Sequence, residues 1–209
     1  MIKAEVNVIG TIKRSASIRT DKNNNPYLSF IMAVSLPDAK VTAKSIDVFV
    51  SFPNARQDEA QSYVEGLRIA VSGNLDIHKK GEVLNFYLTG NEVAIQDVAT
   101  LDNVTGAISF RGYLKKDNIY EQKTDKNGNP FIIFSAYSLE KNGQEFVSTW
   151  ISCMRFPEKG ATVDSIIPEW LHAKAHIDVN GDLQLSSYNG IVRISCRVKE
   201  MKEHINTQQ

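Results

Sequence analysis

The sequence predicts an all-β protein built as two tandem copies of one small barrel, and three observations carry that expectation. The first is a repeat: Thr20-Asp21-Lys22-Asn23-Asn24-Asn25-Pro26-Tyr27 returns as Thr124-Asp125-Lys126-Asn127-Gly128-Asn129-Pro130-Phe131, a shift of 104 residues. The second is a period of two: Ile2, Ala4, Val6, Val8, Gly10 and Ile12 alternate with mostly polar residues, as a strand with one buried face requires. The third is regular punctuation, with Asn, Asp, Gly, Lys and Pro clusters separating short apolar runs. A repeat of this length is too long for a solenoid unit and matches one small domain.

In the first copy the period-two segment is strand one, and residues 21–26 form a turn. Strands follow at residues 27–34 and 46–52. Asn54 is placed to cap a short helix through residues 60–64, with Gly66 as its left-handed stop. Residues 67–77 and 83–88 are strands four and five, joined by the polar loop His78-Lys79-Lys80-Gly81-Glu82. The second copy repeats this, with strands near 108–115, 131–137, 146–156, 173–185 and 191–198. Its helix region at 158–171 is interrupted by Gly160 and Pro168.

The shift steps from 102 at Gly10/Gly112 to 104, holds through Phe52-Pro53 and Phe156-Pro157, and reaches 108 at Ile69/Ile177. Small steps mean small loop insertions on a common frame. The repeat also reassigns a turn. Asn180-Gly181 reads as a hairpin alone, but its counterpart Ser72-Gly73 lies mid-strand. Gly181 is therefore expected at a barrel bend, and Ser187-Tyr188-Asn189-Gly190 at the true hairpin. Five strands with one short helix between the third and fourth is the order of the OB fold, a five-stranded Greek-key barrel. The expected domains are residues 1–100 and 106–203.

The chain carries 24 basic and 24 acidic residues, 11 of each in residues 1–100 and 13 of each in the rest, so neither half has the basic surplus common in phosphate-binding domains. No apolar run is long enough to span a membrane, and the N-terminus has no cleavage signal, so a cytoplasmic protein is expected. Cys153 and Cys196 lack a Cys-x-x-Cys spacing and are expected as buried free thiols.

Catalytic signatures are absent: no nucleophile elbow, phosphate-cradling glycine loop, zinc-protease helix or dinucleotide fingerprint. Asp125-x-Asn127-x-Asn129 imitates a calcium loop, but Pro130 and Ala136 stand where that loop needs Gly and Glu. His172 and His176 have no third ligand nearby in sequence. No enzyme, metal, cofactor or small-molecule substrate is expected.

Several motifs resemble, in order and spacing, those of the bacterial single-stranded DNA-binding protein family. Gly112-Tyr113-Leu114 matches the end of that family's first strand. Ser148-Thr149-Trp150, with Phe156-Pro157 six residues on, resembles its tryptophan element. Val71-Ser72-Gly73-Asn74-Leu75 and Val179-Asn180-Gly181-Asp182-Leu183 resemble its glycine element, and Tyr188 falls five residues past the second.

The resemblance implies binding of single-stranded DNA with little sequence preference, in replication, repair or recombination. Trp150, Phe156 and Tyr188 would stack on bases, with Arg155 beside them for phosphates. The first copy has Ile46, Phe52 and Lys80 at the three stacking places, and Phe52, Lys79 and Lys80 complete the expected site. The family also implies a homodimer presenting four folds, and the chain ends without the acidic tail of bacterial members. Two other readings stay open on the residues alone: a protein-interaction module and an RNA-directed binder.

Overall fold

The computed structural model describes residues 2–37, 44–54 and 56–205, without the side chains of 57 and 142. Among the described residues, eleven strands account for nearly all regular structure. They are β1 (Ile2–Thr20), β2 (Pro26–Leu36), β3 (Lys44–Pro53), β4 (Arg68–Lys80), β5 (Val83–Ile95), β6 (Asn103–Leu114), β7 (Tyr120–Thr124), β8 (Pro130–Asn142), β9 (Glu145–Arg155), β10 (His176–Tyr188) and β11 (Ile191–Glu203). The chain forms two compact units. The N-terminal unit is Lys3–Gly106 with Leu185–Val192, and the C-terminal unit is Met1–Ile2, Ala107–Gln184 and Arg193–Gln209.

In the N-terminal unit the strand order is β2-β3-β5-β4-β1, and pairing of β1 with β2 closes the ring. In the C-terminal unit β10, β11, β9 and β8 follow β6, and β6 pairs with β8 to close it. One pair in each ring is parallel, β3 with β5 and β9 with β11. Both rings are the Greek-key OB barrel that the strand count and order predict.

Alternation fills the barrels. Val8, Ile12, Phe30, Met32, Val34, Val48, Val50, Ile77 and Leu88 are buried in one, and Ile108, Phe110, Ile132, Phe134, Ile151 and Val179 in the other. Burying a side chain of this size contributes about 1.5–3 kcal/mol, so the alternating residues supply the main favourable term. Cys153 and Cys196 are free, buried and directly opposite each other across β9 and β11.

The structure extends or revises several elements. β1 runs to Thr20 rather than ending near residue 12, paired to β2 with irregular register at Arg14 and Ser17. Its outer half is mostly exposed, with only Ala16 and Ile18 partly covered, too brief an alternation to extend the strand by sequence alone. The corresponding stretch of the second copy is broken into β6 and β7 near Asn118, whose φ is 48°. The two-residue step in the repeat falls at that break.

The two expected helices are short 3-10 segments, Gln57–Ser62 and Val163–Ile166. Segments this short cannot recover the cost of helix nucleation. Asn54 does not cap the first: it has φ 57°, and the extended residue before the turn is Arg56.

The doubled Asp-Lys-Asn-x-Asn-Pro segment closes the β1–β2 and β7–β8 turns by identical chemistry. Asp21 Oδ1 accepts from the amides of Asn23 and Asn25 at 2.8 and 2.9 Å; Asp125 Oδ1 accepts from Asn127 and Asn129 at the same distances. Asn24 and Gly128 take the left-handed position, at φ 63° and 84°. These donors hold both carboxyls below the usual carboxylate range, the Asn25 amide contributing most at Asp21 and the Asn129 side chain at Asp125.

A pKa lower in the folded state gives stability that is present above the unfolded value and lost as pH falls through the folded one. Asp21→Ala and Asp125→Ala should therefore lower the urea midpoint at neutral pH, and their deficit should shrink below about pH 4. A deficit unchanged at pH 3 would assign the effect to something other than the ionised carboxyl.

The reassigned glycine is a close-approach position. A Cβ on Gly181 would lie 2.2 Å from the Arg197 carbonyl oxygen, and one on Gly73 2.1 Å from that of Thr89. The hairpin instead turns at Asn189 and Gly190, with φ 52° and 74°. Gly181→Ala should cost more than about 2 kcal/mol, as overpacking against backbone does. Gly143→Ala, at φ 65° with open space around it, should cost about 1 kcal/mol for the left-handed conformation alone. Urea unfolding of the two variants measures the difference.

Candidate nucleic-acid interface

The outward positions of the C-terminal barrel carry a row of rings. On β6, Ile108, Phe110 and Leu114 point into the core, which leaves Arg111 and Tyr113 facing out. The same parity sets Tyr137 outward on β8, Trp150 on β9 and His176 on β10. Register aligns them: His176 is opposite Tyr113, Tyr113 opposite Tyr137, and Tyr137 opposite Trp150. Ring centroids are 4.4, 6.0 and 4.9 Å apart in that order, and Trp150, at the end of the row, is 49% exposed. Directly opposed side chains on neighbouring strands sit within contact of each other.

The other end of the row is polar. His204 meets His176 edge to face at 4.4 Å and places Nδ1 3.0 Å from Asp178 Oδ2. Arg111 donates to the same carboxylate, Nε to Oδ1 at 2.6 Å. Arg111, then His204, hold the Asp178 carboxyl below its ordinary range. Burial, with repulsion from His204 and Arg111, pushes the His176 imidazole down despite Asp178 nearby. At neutral pH His176 is therefore an uncharged ring able to stack.

Phe156 lies just beyond β9, stacked on Phe131 at 4.8 Å with the Arg197 guanidinium 4.7 Å from its centroid. It lies six positions from Trp150, about 20 Å of extended chain. Arg155 is part-buried: Nη1 donates to the Ile166 carbonyl at 3.2 Å, and burial lowers its pKa. Tyr188 is half-buried in the segment that clusters with the N-terminal unit, at the opposite end of β10 from His176.

In the N-terminal unit Lys80 is exposed at the hairpin tip, while Lys79 pairs with Glu82 at 3.1 Å. Phe52 has inward parity and plugs the barrel end against Phe30 and Gly90, where a Cβ would meet its ring at 2.4 Å.

Register also corrects the comparison between copies. Ile46 stands opposite Val34, and Thr149 opposite Ser138, so β3 and β9 correspond at a shift of 103 rather than 104. Ile46 is core, like Thr149, and the true counterpart of Trp150 is Asp47. The matched Phe-Pro pairs are one residue out of register, because a short identity outscored the burial pattern.

The full row His176–Tyr113–Tyr137–Trp150 becomes Arg68–Thr11–Ala33–Asp47 in the N-terminal barrel. There Arg68 Nη1 donates to Thr11 Oγ1 at 3.0 Å, and Lys13 bridges Asp47 at 2.8 Å. Tyr113, Tyr137 and His176 escaped the motif reading, although each is an aromatic at an outward parity position. Their alignment into a row depends on pairings between strands distant in sequence.

No family model and no curated protein matches this sequence. Among solved structures the chain is similar to the single-stranded DNA-binding protein of Thermus aquaticus, at 11% identity and a TM-score of 0.47 over 100% of this chain and 95% of that one. It is also similar to the mitochondrial single-stranded DNA-binding protein of S. cerevisiae, at 17% identity and a TM-score of 0.37 over 49% of this chain and 96% of that one. The small single-stranded DNA-binding protein of Streptomyces coelicolor matches at 9% identity and a TM-score of 0.36, over 49% of this chain and 95% of that one. At these values the likeness adds nothing to what the barrel topology already shows. Among the described residues no helix is long and apolar enough to cross a membrane.

Proposed function

We propose that the protein binds single-stranded DNA with little sequence preference, and that the aromatic row of the C-terminal barrel is its main stacking surface. The observation that carries this reading is the register of His176, Tyr113, Tyr137 and Trp150 on four adjacent strands. Unpaired bases expose flat apolar faces, and each base stacked on an aromatic ring contributes about 1–3 kcal/mol whatever its identity. Arg197 over Phe156 and the exposed Lys202 beside Arg111 supply cations for the phosphates flanking stacked bases. Affinity should fall as salt rises, in proportion to the number of phosphates these cations contact.

Titration with oligo-dT at low salt should quench the fluorescence of Trp150. Trp150→Ala and Tyr137→Ala should each weaken binding about 5- to 150-fold, the equivalent of one lost stacking contact. Phe52→Leu, at a ring that plugs the other barrel, should lower the urea midpoint and leave affinity within about twofold, because it removes packing rather than a stacking face. An absence of quenching at micromolar protein, or equal losses for Trp150→Ala and Phe52→Leu, would overturn the assignment.

A further inference from the structure

The N-terminal barrel lacks the aromatic row, yet it is not without exposed rings. Phe49 on β3 and Tyr87 on β5 are opposite each other in the parallel pair, stacked at 5.4 Å with planes 24° apart. They are 37% and 46% exposed. His78 on β4 meets Tyr87 edge-on at 5.8 Å. The register-equivalent pair in the C-terminal barrel is Ser152 and Ser195, also directly opposed. The two barrels have thus exchanged faces: one has rings across its strands four, one, two and three, the other across three, five and four.

We infer that Phe49, Tyr87 and His78 form a second stacking site for single-stranded nucleic acid, on a face of the barrel not equivalent to the first. The site rests on the functional reading above. Its surroundings fit a base and its phosphates. Ser51, Asn85 and Thr89 flank the rings on the same outward parity, and Asn85 offers both a donor and an acceptor. Phe49 also lines a groove of about 550 Å³ in which Lys44 stands beside the Lys13–Asp47 ion pair and Glu82. Lys80 is exposed at the tip of the hairpin formed by β4 and β5. Val83 and Ile191 in the same groove are the residues an apolar partner, such as a second copy of the chain, would use.

Phe49→Ser/Tyr87→Ser tests the inference in the full chain, because it installs the serine pair that the C-terminal barrel already accommodates. Both tryptophans, Trp150 and Trp170, lie in the C-terminal unit, so their fluorescence reports on the other site. Calorimetric titration with oligo-dT of about 10 nucleotides, within the range one OB fold occupies, should give two sites per wild-type chain and one per variant. Tryptophan quenching should persist in the variant. Affinity for oligo-dT of about 40 nucleotides should fall about 10- to 100-fold, as loss of stacked bases requires.

If the wild type binds no oligomer, the functional reading fails. If it binds but the variant keeps the same stoichiometry and long-oligomer affinity, that reading survives and this inference is overturned. A variant that changes only the sedimentation mass assigns the face to a second copy and equally overturns it.

Discussion

Closure of each five-stranded sheet on itself is the constraint on which everything else depends. Pairing β1 with β2, and β6 with β8, closes each five-stranded ring and commits its inward side chains to one core. Period two then leaves alternate residues outside, facing solvent in rows whose membership is set by register. A stacking surface needs flat groups held at fixed spacing on a stiff support, and opposed positions on paired strands provide that without a pocket. The ring spacings across β10, β6, β8 and β9 follow from the sheet itself.

The same frame explains how two copies diverge in chemistry without diverging in fold. Core positions are coupled to many neighbours, so Phe30 and Phe134 remain alike. The glycines at the close approaches, Gly73 and Gly181, have no room to change. Outward positions are coupled only to their cross-strand partners and can be exchanged as a set. Tyr113, Tyr137 and Trp150 against Thr11, Ala33 and Asp47 is one such exchange, and Phe49 and Tyr87 against Ser152 and Ser195 is the reciprocal one.

Legibility in the sequence tracked the range of the interactions involved. The Asp21 and Asp125 turns are closed by contacts within four residues, so the repeated segment announced them. Core strands were readable because burial imprints a period on the local sequence. The outer half of β1 was not, since only Ala16 and Ile18 are partly covered there and the period is too brief to read. The 3-10 turns fell short of helices because nothing in a polar six-residue segment repays nucleation. Phe52 and Phe156 looked equivalent as Phe-Pro pairs, yet one plugs a barrel end and the other stacks on Phe131 beneath Arg197. Arg155 was expected beside the stacking rings, and its contact with the Ile166 carbonyl, eleven residues on, was not legible in the sequence.

By itself the sequence determined that there are two copies, that each is a β barrel, and which residues turn the chain, because all of these are written in local periodicity and short-range hydrogen bonding. Tertiary structure alone decided which aromatics stand together. Tyr113, Tyr137 and Trp150 are separated by 24 and 13 residues, and only the register of β6, β8 and β9 brings them into one row. Register between strands is a collective property of a closed barrel, fixed by the packing of the whole core, and no single segment carries it.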